Sequence, residues 1–326
     1  MRKLGPGVIT GAADDDPSGI ATYSQIGAQY GYALGWTVVL TTPLMGAVQE
    51  ISARLGRVTG AGLGAAMRSQ MPGWFSASIL CALVVANIFN LSADIGAMAD
   101  SCRLLIGGPA QVYAVLIALF CAGCEIFLAY KRYVLILKWL TLALFAYVAL
   151  LFIVHVPLKE AVLGAVFPRT GLTRAALTAL VAVLGTTISP YLFFWQASEE
   201  AEEEHGEPDS RPLRDHAADA PAQTKRIRLD TYAGMIFSNL IALAIMFGTA
   251  ATLHASGKTE ITSAADAAEA LKPLAGEFAS AIFSLGIIGT GLLAVPVLAG
   301  SAAYAVGEAY AWTVGLSYRA FEARLF

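Results

Sequence analysis

The stretch Asp14-Asp15-Asp16-Pro17-Ser18-Gly19 decides the fold of this chain. Apolar sequence flanks it on both sides, over residues 4–13 and 20–27. Carboxylates are costly in hydrocarbon, so acids inside a membrane segment usually have a function. Proline removes a backbone donor and ends a helix, and glycine adds conformational freedom. The stretch therefore predicts a broken membrane helix, with which many transporters build an ion site near the bilayer midplane.

The composition of the whole chain is that of a multi-pass membrane protein. Of its 326 residues, 57% are hydrophobic and 14% are charged, against roughly 25% charged in soluble domains. A membrane-spanning helix needs about 18 or more apolar residues. Seven further segments qualify as spans, at 30–49, 74–91, 109–130, 139–154, 175–198, 231–253 and 278–307. With the broken first segment they predict eight spans in a single all-α transmembrane domain over residues 1–326.

The distribution of Lys and Arg predicts the orientation in the membrane. With the N-terminus in the cytoplasm, fourteen of the 21 basic residues lie on the cytoplasmic side and six lie outside, with Lys138 inside a helix. The loops at 54–68 and 211–228 account for most of this bias. Both termini are therefore predicted to be cytoplasmic, and the protein to lie in the cytoplasmic (inner) membrane.

A second helix break is predicted at residues 185–191, which read Gly-Thr-Thr-Ile-Ser-Pro-Tyr. Pro190 frees the carbonyl of Thr186, and in a bilayer a freed carbonyl must find a partner or line a cavity. A simple proline kink is the alternative interpretation. Matching interruptions in the two halves of a chain are, however, the best sequence indicator of an inverted-repeat transporter site. The breaks at Asp16-Pro17 and Ser189-Pro190 are therefore predicted to form one site.

Several motifs near the N-terminus carry a family resemblance. They are Gly5-Pro6-Gly7, the Asp16-Pro17 break, residues 26–32 and residues 49–60. Together they resemble the Nramp family of divalent-metal transporters, and the resemblance covers essentially the whole chain. It implies a LeuT-like fold of two inverted five-helix repeats, the first at residues 1–156 and a partial second at 172–326. Since the family usually has about ten or eleven membrane helices, eight spans lead us to expect a truncated chain.

Two departures from the family pattern bear on the ion. The family has Asp-Pro-Gly-Asn and Met-Pro-His where this chain has Asp16-Pro17-Ser18-Gly19 and Ser189-Pro190-Tyr191. A thioether favours soft ions, whereas oxygen ligands favour hard ones, and Mg²⁺ keeps several of its waters. The resemblance therefore implies a hydrated hard-ion site, as in the Nramp-related branch that includes magnesium transporters. Its predicted ligands are the Asp16 carboxylate, the carbonyls of Ala13 and Thr186, and the Ser189 hydroxyl.

A proton or ion pathway is predicted on the third span. Asn87, Asn90 and Asp94 are three and four residues apart, so they share one helical face. The family has a carboxylate pair here, of which Asp94 matches the second member and Leu91 replaces the first. Because Tyr191 also replaces the family's His, proton coupling stays open. A buried structural acid is the equal alternative for Asp94.

The remaining charged groups receive less specific predictions. Asp14 and Asp15 are expected to face water at the cavity mouth or to cap helix ends. Residues 199–230 are predicted to form a mobile cytoplasmic loop, acidic at its start and basic at its end, with its acids in water. Glu125 and Lys138 are predicted to form a structural ion pair between adjacent spans.

The sequence excludes several function classes. It has no nucleic-acid signature, no nucleophile motif and no paired histidine spacing for a metal on one helix. We therefore expect no enzyme activity, no cofactor and no obligate protein partner; the divalent ion is the substrate and the lipid bilayer the surroundings. Two alternatives stay open. One is a non-transporting metal-sensing or scaffold membrane protein that uses the acids at 199–204, and the other is the same fold carrying an organic substrate.

Overall fold

The computed structural model describes residues 5–127, 136, 139–171, 173–206, 212–316, 318 and 323. These residues form helices joined by short connections, and no strand occurs among them. We number the helices in chain order as α1 Pro6–Asp14, α2 Pro17–Tyr30, α3 Gly35–Thr59, α4 Leu63–Gln70, α5 Gly73–Ile106, α6 Ala110–Phe127, α7 Phe145–Ile153, α8 Leu158–Val166, α9 Arg174–Thr187, α10 Pro190–Gly206, α11 Ala220–Thr249 and α12 Ala264–Ala309.

Five helical stretches of the described chain are long and apolar enough to cross a membrane. They are Gly73–Ile106, Ala110–Phe127, Arg174–Gly206, Ala217–His254 and Ala264–Ala309. Thr141–Ile153 is a shorter apolar stretch. The other two of the eight predicted segments are helical as well, as the broken pair α1 and α2 and as α3. The all-α polytopic architecture is therefore confirmed.

The broken first segment lies in the middle of the bundle. Its α1 packs directly on α11, where a Cβ added at Gly11 would come within 2.3 Å of the Gly234 backbone. Helices approach this closely only where small residues face each other, as is common in membrane bundles. The fully buried side chains around this centre include Tyr23, Trp195 and Phe283. Glycine at positions 11 and 234 therefore positions the first break deep inside the protein.

The acidic stretch at residues 199–204 is not a solvated loop. Helix α10 continues without interruption through it, and Glu199, Glu200 and Glu204 are buried. Arg226 of α11 forms an ion pair with Glu200. The basic end of the predicted loop belongs to α11 itself, which begins at Ala220. The prediction of a mobile loop at 199–230 is therefore wrong for residues 199–206 and 220–230, which are helical. The acids can be buried there because their partners come from distant parts of the sequence.

Two features of the sequence analysis stay predictions. One is the division into repeats at 1–156 and 172–326. The Glu125–Lys138 ion pair involves Lys138, which lies outside the described residues.

Candidate functional site

The first helix break holds a carboxylate at the start of a helix. Helix α1 ends at Asp14 and α2 begins at Pro17, with Asp16 as the N-cap of α2. Its Oδ1 accepts hydrogen bonds from the Gly19 amide at 2.6 Å and from the Ser18 hydroxyl at 2.9 Å. Aspartate is favoured at this position because it satisfies a free amide and meets the positive end of the helix dipole. A side chain that is only 2% exposed thus keeps its carboxylate in a defined position.

The two neighbouring aspartates are buried too. Asp14 Oδ2 accepts a hydrogen bond from the Ser238 hydroxyl of α11 at 2.9 Å, whereas its Oδ1 has no partner in the described chain. Neither carboxylate oxygen of Asp15 has a hydrogen-bond partner among the described residues. The expectation of water-facing side chains was wrong, because α1 packs against α11 and encloses them, whereas the alternative of a position at a helix end agrees with Asp14 as the last residue of α1 and Asp15 as its C-cap. Unpaired buried carboxylates are costly, and a cation would lower that cost.

The second break is neutral and is satisfied within its own helix. Helix α9 ends at Thr187 and α10 begins at Pro190. The Ser189 hydroxyl donates to the Thr186 carbonyl at 2.8 Å and approaches the Gly185 carbonyl at 3.3 Å. The hydroxyl thus takes the place of the amide that Pro190 lacks. The described hydrogen bonds of the Ser189 side chain stay within α9 and none reaches the first break.

The two breaks meet through backbone and hydroxyl oxygens. The Tyr191 hydroxyl, at the start of α10, donates to the Ala13 carbonyl of α1 at 2.9 Å. A Cβ added at Gly19 would lie 3.0 Å from Asp16 Oδ1 and 3.1 Å from the Thr186 hydroxyl oxygen. The Asp16 carboxylate of the first break and the Thr186 hydroxyl of the second therefore lie next to Gly19. Of the predicted ligand atoms, the Ala13 carbonyl is linked to the second break through Tyr191, and the Thr186 carbonyl accepts the Ser189 hydroxyl.

The predicted pathway residues on α5 separate into two groups. Asp94 reaches the first break, where its Oδ1 accepts a hydrogen bond from the Ser18 amide at 3.0 Å. Asn87 lies about 10 Å from Asp94 along α5. Its side-chain amide donates instead to the Leu298 carbonyl and the Ser301 hydroxyl of α12. Asn90 is half-buried on the same helix. Asp94 thus belongs to the site, and Asn87 ties α5 to α12.

The arrangement favours an oxygen-ligated, hydrated ion. No group of three or more His, Cys, Asp or Glu side chains is placed to hold a metal by itself within the described chain. An ion at the breaks would therefore use Asp16 together with carbonyl and hydroxyl oxygens and water, which suits hard divalent ions. The sequence analysis did not predict the hydrogen bond from Tyr191 to the Ala13 carbonyl. The position of Tyr191 directly after Pro190 was the indication that its side chain could lie at the break.

Comparison with known proteins gives consistent matches over nearly the full chain. The sequence model of the family described as natural resistance-associated macrophage protein-like matches residues 7–326. The divalent metal cation transporter MntH of Aeromonas hydrophila is 30% identical over 307 residues, covering 90% of this chain and 70% of that protein. The protein of the same name from Yersinia enterocolitica is 31% identical over 303 residues, covering 90% and 69%.

Solved structures show the same fold. Crystal structures of the manganese transporter of Eremococcus coleocola, one of a mutant and one with an aromatic bis-isothiourea compound, match with a TM-score of 0.75. The match covers 99% of this chain and 68% of the other at 16% identity. It shows a LeuT-like transporter fold. With the family match and the curated relatives, the chain belongs to the Nramp family of multi-pass membrane transporters and is not an enzyme.

Proposed function

We propose that this chain carries divalent metal cations across the cell membrane through the site between its two helix breaks. The observations that support this best are the approach of the Asp16 carboxylate and the Thr186 hydroxyl beside Gly19 and the hydrogen bond from Tyr191 to the Ala13 carbonyl, which joins the two breaks. The relatives named as divalent metal cation and manganese transporters support the class of substrate.

The proposed site prefers hard ions such as Mg²⁺ and Mn²⁺ to soft transition ions. Asp16 is the charged ligand, and the Ala13 carbonyl together with the carbonyl and hydroxyl of Thr186 supplies neutral oxygens, with water completing the shell. The Ser189 hydroxyl has its donor hydrogen directed at Thr186, so its oxygen lone pairs stay available for an ion. No thioether is part of this set, and hard oxygen ligands discriminate little against Mg²⁺.

Transport would proceed by movement of the two broken helices against the rest of the bundle. The breaks are joined to each other by the Tyr191–Ala13 hydrogen bond and to α5 by the bond from Ser18 to Asp94. These contacts are single hydrogen bonds, each worth about 0.5–1.5 kcal/mol net. They can therefore be exchanged during an alternating-access cycle. Asp94 is the group through which any proton coupling would act, and both chain termini are proposed to face the cytoplasm.

A metal sensor built on the acids at 199–204 has less support. Glu200 is fully buried and paired with Arg226, and Glu202 accepts hydrogen bonds from Tyr304 and the Leu316 amide. These side chains join helices to one another. We therefore interpret the acidic stretch as a set of contacts that hold the end of α10 to its neighbours.

Uptake by the purified chain in proteoliposomes tests the proposal. We expect Mg²⁺ or Mn²⁺ to accumulate, and the Asp16→Asn variant to fall to the background of empty vesicles. Asp100→Asn is the matched control, because Asp100 is a more exposed carboxylate on α5 that pairs with Arg103 at 3.3 Å. Uptake of amino acids without metal uptake would favour the organic-substrate alternative and overturn the proposal.

A further inference from the structure

A basic cavity lies between the end of α3 and the start of α11, and the transport proposal makes no use of it. Its volume is about 390 Å³, within the size range of small-ligand sites. Six residues line it, namely Arg54, Ala220, Pro221, Thr224, Lys225 and Arg228. Half of this lining is cationic, in a chain that is acidic overall with a formal net charge of −3.

One carboxylate organises the cations of this cavity. Glu50 accepts a hydrogen bond from the Arg54 guanidinium and another from Arg228 Nε at 3.0 Å, although its side chain is only 10% exposed. It therefore holds two arginines of neighbouring helices side by side. Lys225 has no carboxylate within ion-pair distance in the part of the chain that the structure describes. Three cations against one carboxylate leave a surplus of two positive charges.

The arginines keep donors for a further partner. A guanidinium carries five N–H donors in a fork that fits phosphate oxygens, and Glu50 uses few of them. The side chains of Arg54 and Arg228 are 37% and 64% exposed, so an anion in the cavity can reach both. The first turn of α11, with Pro221, adds the positive end of a 30-residue helix to the same space. The chemistry of the cavity is therefore that of a phosphate site.

The surroundings of the cavity place it against lipid. Ile51 and Val58 lie three and four residues from Arg54 on the same face of α3, and they are 66% and 39% exposed. Leu229 lies four residues from Lys225 on α11 and is 66% exposed. In a multi-pass membrane protein such exposed apolar side chains contact acyl chains. A basic cavity directly beside them lies at the depth of the headgroups.

We propose that this cavity binds the phosphate headgroup of an anionic phospholipid. The shared chemistry would also admit free phosphate, but the apolar side chains beside the cavity offer contacts that only a lipid can use. Since α3 and α11 both contribute cations, a bound lipid would join these two helices at one membrane face. The proposal does not depend on which ion the protein carries.

Lipid titration of the purified chain tests the proposal. We would record thermal unfolding in a neutral detergent while adding dioleoylphosphatidylglycerol, with dioleoylphosphatidylcholine and inorganic phosphate as separate arms. Lys225→Gln removes one cation and leaves the Glu50 clamp intact. Since each Lys near a membrane surface contributes appreciably to anionic-lipid binding, we expect about a fivefold higher half-saturating lipid concentration. Lys258→Gln, an exposed lysine after α11, is the matched control and should leave this concentration unchanged.

A second variant distinguishes lipid binding from a general loss of stability. Glu50→Gln removes the competing negative charge, so we expect tighter phosphatidylglycerol binding even where the variant itself melts at a lower temperature. Equal binding by wild type, Lys225→Gln and Glu50→Gln would overturn the proposal. Equal stabilisation by inorganic phosphate alone would overturn the assignment to a lipid, as would stabilisation by phosphatidylcholine to the same extent.

Discussion

The two helix breaks satisfy their free backbone groups with different side chains. At the first break, Asp16 satisfies the free Gly19 amide of α2 with a buried carboxylate. At the second, Ser189 satisfies the Thr186 carbonyl with a neutral hydroxyl. Both breaks precede a proline that starts the next helix. Charge is therefore concentrated in one break, and the other contributes neutral oxygens and the Tyr191 contact.

This difference assigns separate tasks to the two breaks. A charged group attracts a cation over the whole cavity, whereas neutral oxygens determine how closely and with how many waters the ion is held. Changes at the first break should therefore alter affinity for every divalent ion. Changes at the second should alter the balance among ions.

The largest effect is expected from Asp16→Asn. The amide keeps an acceptor for Gly19 and Ser18 but removes the charge, so Mg²⁺ and Mn²⁺ affinities should fall together by roughly ten- to hundredfold or more. Isothermal calorimetry on the purified chain measures this. Glu203→Gln, which removes one of the acids at 199–204, should leave both affinities unchanged. The reverse pattern would support a sensor at that acidic stretch.

Tyr191→Phe should weaken the connection between the breaks. It removes the hydrogen bond to the Ala13 carbonyl, worth about 1 kcal/mol, so we expect about a fivefold loss of Mn²⁺ affinity. Tyr23→Phe is the matched control, since its hydroxyl bonds Thr187 at 3.1 Å and no carbonyl of the first break. Equal losses in the two variants would mean that Tyr191 acts only through packing.

Ser189→Met should change the preference among ions. A thioether at the second break favours soft ions, so the affinity for Cd²⁺ relative to Mg²⁺ should rise by a few-fold. Ser189→Ala, which removes only the bond to Thr186, separates loss of the hydroxyl from gain of the sulfur. An unchanged Cd²⁺ to Mg²⁺ ratio in the methionine variant would show that residue 189 does not face the ion.

Asp94→Asn should have the smallest effect at a fixed pH. The amide oxygen can still accept the Ser18 amide hydrogen bond, so the first break keeps its position. What should change is the dependence of uptake on pH, measured in proteoliposomes over a range of external pH. Asp100→Asn, which removes a more exposed carboxylate from the same helix, is the control. An identical pH profile in wild type and Asp94→Asn would remove Asp94 from the transport mechanism.

The breaks and the spans could be predicted because they depend on local sequence. Proline and glycine act on their own backbone, and long apolar runs are visible without any partner. The assignments of Asp16, Ala13 and Thr186 followed from Pro17, Pro190 and the family resemblance. The structure places the Asp16 and Thr186 side chains near each other and links Ala13 to the second break through Tyr191.

The errors concern groups whose surroundings come from distant parts of the chain. Asp14 looked accessible because the sequence does not show that α1 packs on α11, where Ser238 binds it. The acids at 199–204 looked solvated because Arg226 and Tyr304, which contact two of them, lie 26 and 102 residues away. Burial of charge is decided by such long-range contacts, and a charge pattern along the chain does not contain them.

The position of the ion tests the central claim most directly. Crystals of the purified chain grown with Mn²⁺ would show the ion as an anomalous scattering peak. We predict a peak between the two breaks, within about 2.0–2.6 Å of an Asp16 carboxylate oxygen and close to the Ala13 and Thr186 oxygens. A peak at the acids of residues 199–204, with none beside Asp16, would contradict the account.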